Sequence, residues 1–504
     1  MLKTYGVLAG HQAVAVVLSV LMLVLVPLAL PTETFGRFSL IFSVAQVITI
    51  VALSWPNAGL LRYAREEYRE RGTIGGALGA RLGLHAVLLV VVLPLAWLFS
   101  GSLENLFGIP TVSIWFLLAA FVVLSFNEMG QYAAQAVEKF AGYGLSPVVM
   151  RLAQVVTLAG FVAGWAGGWP VLMAGTLIGY GLGGALVWAQ IPRRAFAGLG
   201  FDRAALGRIL RYSWAVPIGA AGAATVTWMD LWFLHHLIDD ETVGVYAWAY
   251  NVSLLASAFL IPLAAVIAPR MIDLKVKADA PATARYTRAA GAAYFLWVAL
   301  VPAMFVPVLV IAAVIGFGAF AAALYPVMIL LAATAFQLAS YLINPVLVTD
   351  PRLVPATVAV SLGVAAINAA GNILLIPVFG ISGPALASAA AFAFGMAAPV
   401  WFLRRYTDAV FPGFVKVTGF GAVGVAAVAL PLWAGPGAGA VLCTVATAVL
   451  VISAKRFGLF RGAGGFAPLA ADLPRTLRAP AGTVVRWLDG GGASASSGPR
   501  KVSL

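Results

Sequence analysis

The chain has 504 residues, of which 62% are hydrophobic and only 10% charged, proportions that exclude a soluble globular domain. Its net charge of +13 comes from Lys and Arg spread over many short gaps, with no basic tract or nucleic-acid motif, so anionic membrane lipids are the expected partners and nucleic acid is not. A single cysteine, Cys443, rules out an intrachain disulfide framework and a cysteine-based metal site, and four scattered histidines make no metal pattern.

Apolar runs long enough to cross a hydrocarbon core as helix recur fourteen times. The first half carries six, at 7–30, 38–61, 82–99, 112–136, 145–166 and 171–191. After a basic linker, six more occupy 212–237, 243–268, 289–316, 321–348, 353–377 and 381–403, and two extra runs follow at 417–433 and 437–454. None alternates as a strand would, so the expected fold is all-α and integral to the membrane, with about 14 transmembrane helices. With Arg151, near the start of the fifth run, counted with the gap before it, all but one of the 31 Lys and Arg residues fall in alternate gaps, the exception being Arg37. Basic residues are retained in cytoplasmic loops, so both termini are expected in the cytoplasm. The first run is too long for a signal-peptide core and reads as a retained helix.

Two pseudo-symmetric six-helix lobes are expected, an N-terminal one over 1–195 and a C-terminal one over 212–405, joined by a cytoplasmic linker at 196–211. The two extra helices lie within 406–454, and 455–504 forms a cytoplasmic tail, largely disordered, with an amphipathic piece around 473–488. The repeat shows most clearly where Glu33-Thr34-Phe35-Gly36 links the first two runs and Glu241-Thr242-Val243-Gly244 links the seventh and eighth, 208 residues later. The same offset maps Arg62 onto Arg270. An ordinary glycine turn before a helix is the competing explanation.

Ionisable residues inside the runs come next, since each costs at least about 2.5 kcal/mol at a lipid-facing helix centre and so tends to face a cavity or a partner. Glu128 shares a helical face with Gln131 and Gln135 in the fourth run. Arg151 lies about two turns into the fifth, beside Gln154, and Asp230 lies well inside the seventh. Glu128 and Asp230 are candidates for Na⁺ or proton coupling, with an interhelical hydrogen bond or ion pair as the alternative, and Glu128 is also a candidate ion-pair partner for Arg151. Arg151 with Gln154, and Arg62 and Arg270 at matching helix ends, are candidates for holding a pyrophosphate; snorkelling to the interface competes for Arg62 and Arg270. His85 and His11 read as hydrogen-bonded core residues. The sequence carries no phosphate-cradling Gly-Lys-Ser/Thr loop, so neither an ATPase engine nor a cofactor beyond a coupling ion is expected.

Several of these segments together resemble a known family. Glu33-Thr34-Phe35-Gly36-Arg37-Phe38, Gly59-Leu60-Leu61-Arg62-Tyr63, Asp230, Val243-Gly244-Val245-Tyr246, Pro269 and Gly380-Ile381-Ser382-Gly383-Pro384-Ala385-Leu386-Ala387 are similar to the polysaccharide flippases of the multidrug/oligosaccharidyl-lipid/polysaccharide exporter superfamily. The resemblance covers roughly the first 405 residues. It implies two six-helix lobes, alternating access and outward translocation of a polyprenyl-pyrophosphate-linked oligosaccharide across the inner membrane for surface polysaccharide, O-antigen or capsule assembly. A polysaccharide polymerase and other assembly proteins would then be partners. A cation-coupled multidrug antiporter of the same architecture and a membrane polymerase or ligase stand as alternatives. The second conflicts with the shortness of every outward gap.

Overall fold

The computed structural model describes residues 2–102, 113–214, 216–255, 280–349, 354–404, 435–458, 460 and 475–488, and among the described residues every regular element is a helix. Packing sorts these helices into two bundles. The first holds α1 (Leu2–Ala29), α2 (Thr32–Ile48), α3 (Asn57–Arg71), α4 (Gly75–Leu98), α5 (Ile114–Ala136), α6 (Phe140–Val162) and α7 (Trp169–Gln190), with α1 against α6 and α7 against both α5 and α6. A short helix, α8 (Arg203–Ser213), lies on α3 and α4. The second bundle holds α9 (Val216–Leu237), α10 (240–255), α11 (Ala280–Ile315), α12 (Leu324–Thr349), α13 (Val354–Phe379), α14 (Ser382–Arg404) and α15 (Pro436–Arg456), with α14 against both α12 and α13. A tail helix, α16, spans Arg475–Leu488. Nine helices among the described residues are long and apolar enough to cross a membrane. The run expected at 417–433 and the far part of the one at 243–268 lie outside the described residues, as does Arg270.

Large apolar side chains point outward, Val90, Leu98, Trp115 and Leu374 among them, while alanine, glycine and small polar residues fill the helix contacts. This arrangement suits a hydrocarbon solvent, where close backbone approach replaces the hydrophobic drive between helices. The run expected at 38–61 is not one continuous α-helix. Thr49–Ser54 winds as a π-helix between α2 and α3, and Pro56, which has no N–H to return to the preceding turn, marks the break. Side chains cap exposed helix ends at the basic face: Glu67 accepts from the Gly76 and Ala77 amides at 3.0 and 2.9 Å, and Asp202 accepts from Ala204 and Ala205 at 2.8 and 3.1 Å.

At the end of the molecule opposite that basic face, α2 and α10 meet backbone to backbone. A Cβ on Gly36 would run into the Asp240 carbonyl and come within 2.8 Å of the Gly244 amide; one on Gly244 would run into the Thr32 carbonyl and come within 3.0 Å of the Gly36 amide. Thr32 and Gly36 in one bundle thus face Asp240 and Gly244 in the other, each pair separated by 208 residues. The contact is reciprocal, as a two-fold axis between related halves requires. The Glu-Thr-x-Gly repeat is therefore an interface device, beyond a simple turn before a helix.

Candidate functional site

Between the bundles lies a cleft of about 150 Å³ bounded by α1, α6 and α10. Its polar lining is Gln12, Ser19, Arg151 and Asn251. Arg151 sits 11 residues into α6, or about 17 Å along its axis, near mid-depth. Its Nη1 donates to Gln154 Oε1 at 2.9 Å and lies 3.4 Å from Met22 Sδ. Gln154 is held in turn: its Nε2 donates to Thr176 Oγ1 at 3.2 Å, and that hydroxyl donates to the Leu172 carbonyl at 2.8 Å. This relay fixes one edge of the guanidinium. Among the described residues the remaining nitrogens of Arg151 carry no hydrogen bond, so a fork of donors is left for an anion in the cleft.

Glu128 does not pair with Arg151. Among the described residues no ion pair joins them, and the cation near Glu128 is Arg81 of α4, with Ser54 also beside the carboxylate. Tyr180 stands within electrostatic reach of both Glu128 and Arg151. Of the polar residues expected on that face of α5, Gln131 is occupied elsewhere: its Nε2 donates to Asn127 Oδ1 at 2.9 Å, and Asn127 Nδ2 donates to the Tyr180 carbonyl at 3.0 Å. Arg81 is fully buried, its Nε donating to Asn57 Oδ1 at 2.9 Å and its Nη2 to the Leu53 carbonyl at 2.6 Å. The guanidinium thereby pins the π-helical break. Arg81 Nη1 and Asn57 Nδ2 remain buried with no partner among the described residues. Sequence reasoning missed Arg81 because it precedes its apolar run by one residue and reads as a loop charge. One turn on, His85 Nε2 lies 3.3 Å from Ser125 Oγ, a hydrogen-bonded core position.

Asp230 lies inside the second bundle, fully buried, and collects four donors. Tyr246 Oη and Ser388 Oγ donate to Oδ2 at 2.5 and 2.7 Å; Asn368 Nδ2 and Asn372 Nδ2 donate to Oδ1 at 3.0 and 2.8 Å. The asparagines turn their Nδ2 groups to the carboxylate, so a cation here would need both amides to present their oxygens instead, whereas a proton would need only the carboxylate. Asn372 Oδ1 is buried with no donor, leaving one acceptor in the cluster unused. Asn368 and Asn372 are one helical turn apart in an apolar run, a signal present in the sequence that went unread.

Arg37, Glu33, Asp240 and His235 form a network across the Gly36–Gly244 contact. Arg37 Nη2 binds Glu33 at 2.7 Å, Arg37 Nε reaches Asp240 of the other bundle at 3.1 Å, and His235 Nδ1 meets the second Asp240 oxygen. The His235 hydrogen bond, followed by Arg37, holds the Asp240 carboxyl below the ordinary carboxylate range. Arg62 is half exposed at the basic end, paired with Glu66 at 3.4 Å, its guanidinium 4.8 Å from the Tyr212 ring centroid, and is not among the residues lining the cleft.

The family model for polysaccharide biosynthesis proteins matches residues 1–275, more than half of the chain. The chain belongs to this family. No curated protein sequence gave a match. Among solved structures, this family member is similar to the lipid II flippase MurJ in an inward closed conformation, at 13% identity and a TM-score of 0.61, covering 91% of this chain and all of that one. A multidrug resistance MATE family transporter of the MOP superfamily, inward-facing, matches at 15% identity and a TM-score of 0.60, over 77% of this chain and 94% of the other. An outward-facing MATE transporter of the same superfamily matches at 14% identity with a TM-score of 0.51, over 78% and 96%. The chain therefore shares the fold of these transporters, with a higher TM-score to the inward-facing MATE example than to the outward-facing one.

Proposed function

We propose that the protein is a flippase that carries a polyprenyl-pyrophosphate-linked oligosaccharide from the inner to the outer leaflet of the cytoplasmic membrane by alternating access. The observation that carries this reading is Arg151, held by Gln154 at mid-depth in a cleft between the bundles. A guanidinium stays charged when partly dehydrated and grips phosphate oxygens through paired N–H groups. Lys and Arg parity puts the basic face and both termini in the cytoplasm, and the Gly36–Gly244 contact then closes the outer end. A pyrophosphate leaving a negative interior gains about 2.3 kcal/mol per uncompensated charge per 100 mV, which favours export. Asp230 is the coupling site for Na⁺ or a proton, and the released product would feed a polysaccharide polymerase and its assembly partners.

Deletion of the protein is expected to raise polyprenyl-linked oligosaccharide on the inner leaflet, and Arg151→Gln, present at normal levels in the membrane, is expected to do the same. Wild-type surface glycan in the Arg151→Gln strain would overturn the assignment of that residue. Unchanged lipid-linked intermediate in the deletion strain, together with new sensitivity to cationic drugs, would instead favour the multidrug antiporter.

A further inference from the structure

Next to the Arg151 cleft, and sharing Val16, Leu23 and Leu255 with it, lies a second chamber of about 320 Å³ between α1, α10 and α11. Its walls are apolar throughout, from Val20 on α1 and Val252 on α10 to Met304, Pro307 and Val308 on α11. The one polar group in the lining, the Trp248 indole N–H, is spent on the Leu23 carbonyl at 2.9 Å. The chamber therefore offers water no partner and a charged drug no counterion. Its volume is at the lower end of the range for sites that enclose a small molecule. A lone apolar space could take any greasy group, but here the neighbouring compartment presents a guanidinium. An occupant filling both must be an amphiphile whose polar end is anionic.

We propose that this chamber holds the first isoprene units of a lipid diphosphate whose phosphates rest on Arg151, so that the tail is gripped between the bundles during transport. This inference rests on the flippase reading above. It places the proximal tail beside α1, α10 and α11, within the transport path. Bilayer phospholipid has the same anionic and apolar parts, so the test must separate the two sources.

Binding to purified protein would be measured with geranylgeranyl diphosphate, inorganic pyrophosphate and dioleoyl phosphatidic acid. Geranylgeranyl diphosphate is expected to bind at least about ten-fold tighter than pyrophosphate, because only it buries apolar surface. Val252→Phe and Val308→Phe, which fill the chamber, should remove that advantage while leaving pyrophosphate binding intact; Arg151→Gln should weaken both diphosphates. Unchanged geranylgeranyl diphosphate affinity in the filled variants would overturn the proposal, even with Arg151 still required. Equal or tighter binding of phosphatidic acid, equally sensitive to filling, would overturn the isoprenoid assignment in favour of bilayer lipid. Indifference of both diphosphates to Arg151→Gln would instead sink the headgroup site on which the flippase reading depends. Should the phenylalanine variants fail to fold, a diazirine-bearing isoprenoid diphosphate applied to wild-type protein decides the matter. Labelling of α1, α10 and α11 around the chamber supports the proposal, and labelling confined to other helices refutes it.

Discussion

The two bundles share a backbone seam yet differ in their buried charge. In the second, Asp230 has four donors from three other helices on its carboxylate. In the first, Arg81 is equally buried but among the described residues keeps an unpartnered nitrogen, with an unpartnered Asn57 nitrogen near it. Related halves can therefore preserve a contact that depends only on main chain while their polar interiors diverge. Main-chain contact tolerates side-chain drift everywhere except at the two glycines; a buried charge tolerates none among its own partners. In the saturated cluster the four donors satisfy the carboxylate from within the bundle. The unsaturated one braces the break between α2 and α3 and sits beside Glu128.

That contrast can be broken directly. Asp230→Leu strands four buried donors and should be the most damaging change, costing about 4 kcal/mol or more by thermal unfolding in detergent. Gly244→Val strikes the shared seam, forcing a side chain into the Thr32 carbonyl; a loss of about 3 kcal/mol is expected, with Gly10→Val, where a Cβ would meet nothing within 4 Å, as a near-neutral control. Arg81→Leu strands the Asn57 and Leu53 oxygens and takes the neighbouring cation from Glu128, but it also removes an unsatisfied nitrogen, so about 2 kcal/mol is expected. If Arg81→Leu proved costlier than Asp230→Leu, the distinction between a saturated and an unsaturated cluster would be wrong.

The smallest effect belongs to the surface network across the seam. Arg37→Asp or Asp240→Arg alone should loosen the closed end by about 1 kcal/mol, read as faster labelling of a cysteine placed beside Gly36, and the double swap should restore protection. Failure of the swap to restore it would show that the pair does not hold the bundles together. Because the Asp240 carboxyl is held below its ordinary range, its contribution is fully present above about pH 4 and is lost as the pH falls through the lowered folded value. Acidification into that window should speed labelling in the wild type and have less effect in Asp240→Asn.

Apolar run length and the spacing of glycines were enough to read the helices and the repeat, because transfer of a segment into hydrocarbon is a local term; that Gly36 and Gly244 meet in a seam took the structure. The break at Thr49–Ser54 was less visible, since Pro56 alone does not say whether a helix kinks, ends or winds wider. Arg151 and Gln154 could be paired from their three-residue spacing on one helix. Partners on different helices could not be read this way. Asp230 meets residues 138, 142 and 158 positions away, and Glu128 lies by Arg81, which had been left among the loop charges.

By itself, then, the sequence determined the solvent in which this protein folds, its all-helical character and the duplicated glycine segment, since each is legible in short-range terms along the chain. Only the tertiary structure decided which buried charges are satisfied, which keep open valences, and that a polar and an apolar chamber adjoin between the bundles. Those outcomes depend on how each helix is rotated about its axis, and that rotation is set by packing against distant neighbours in a medium that gives apolar faces little preference of their own.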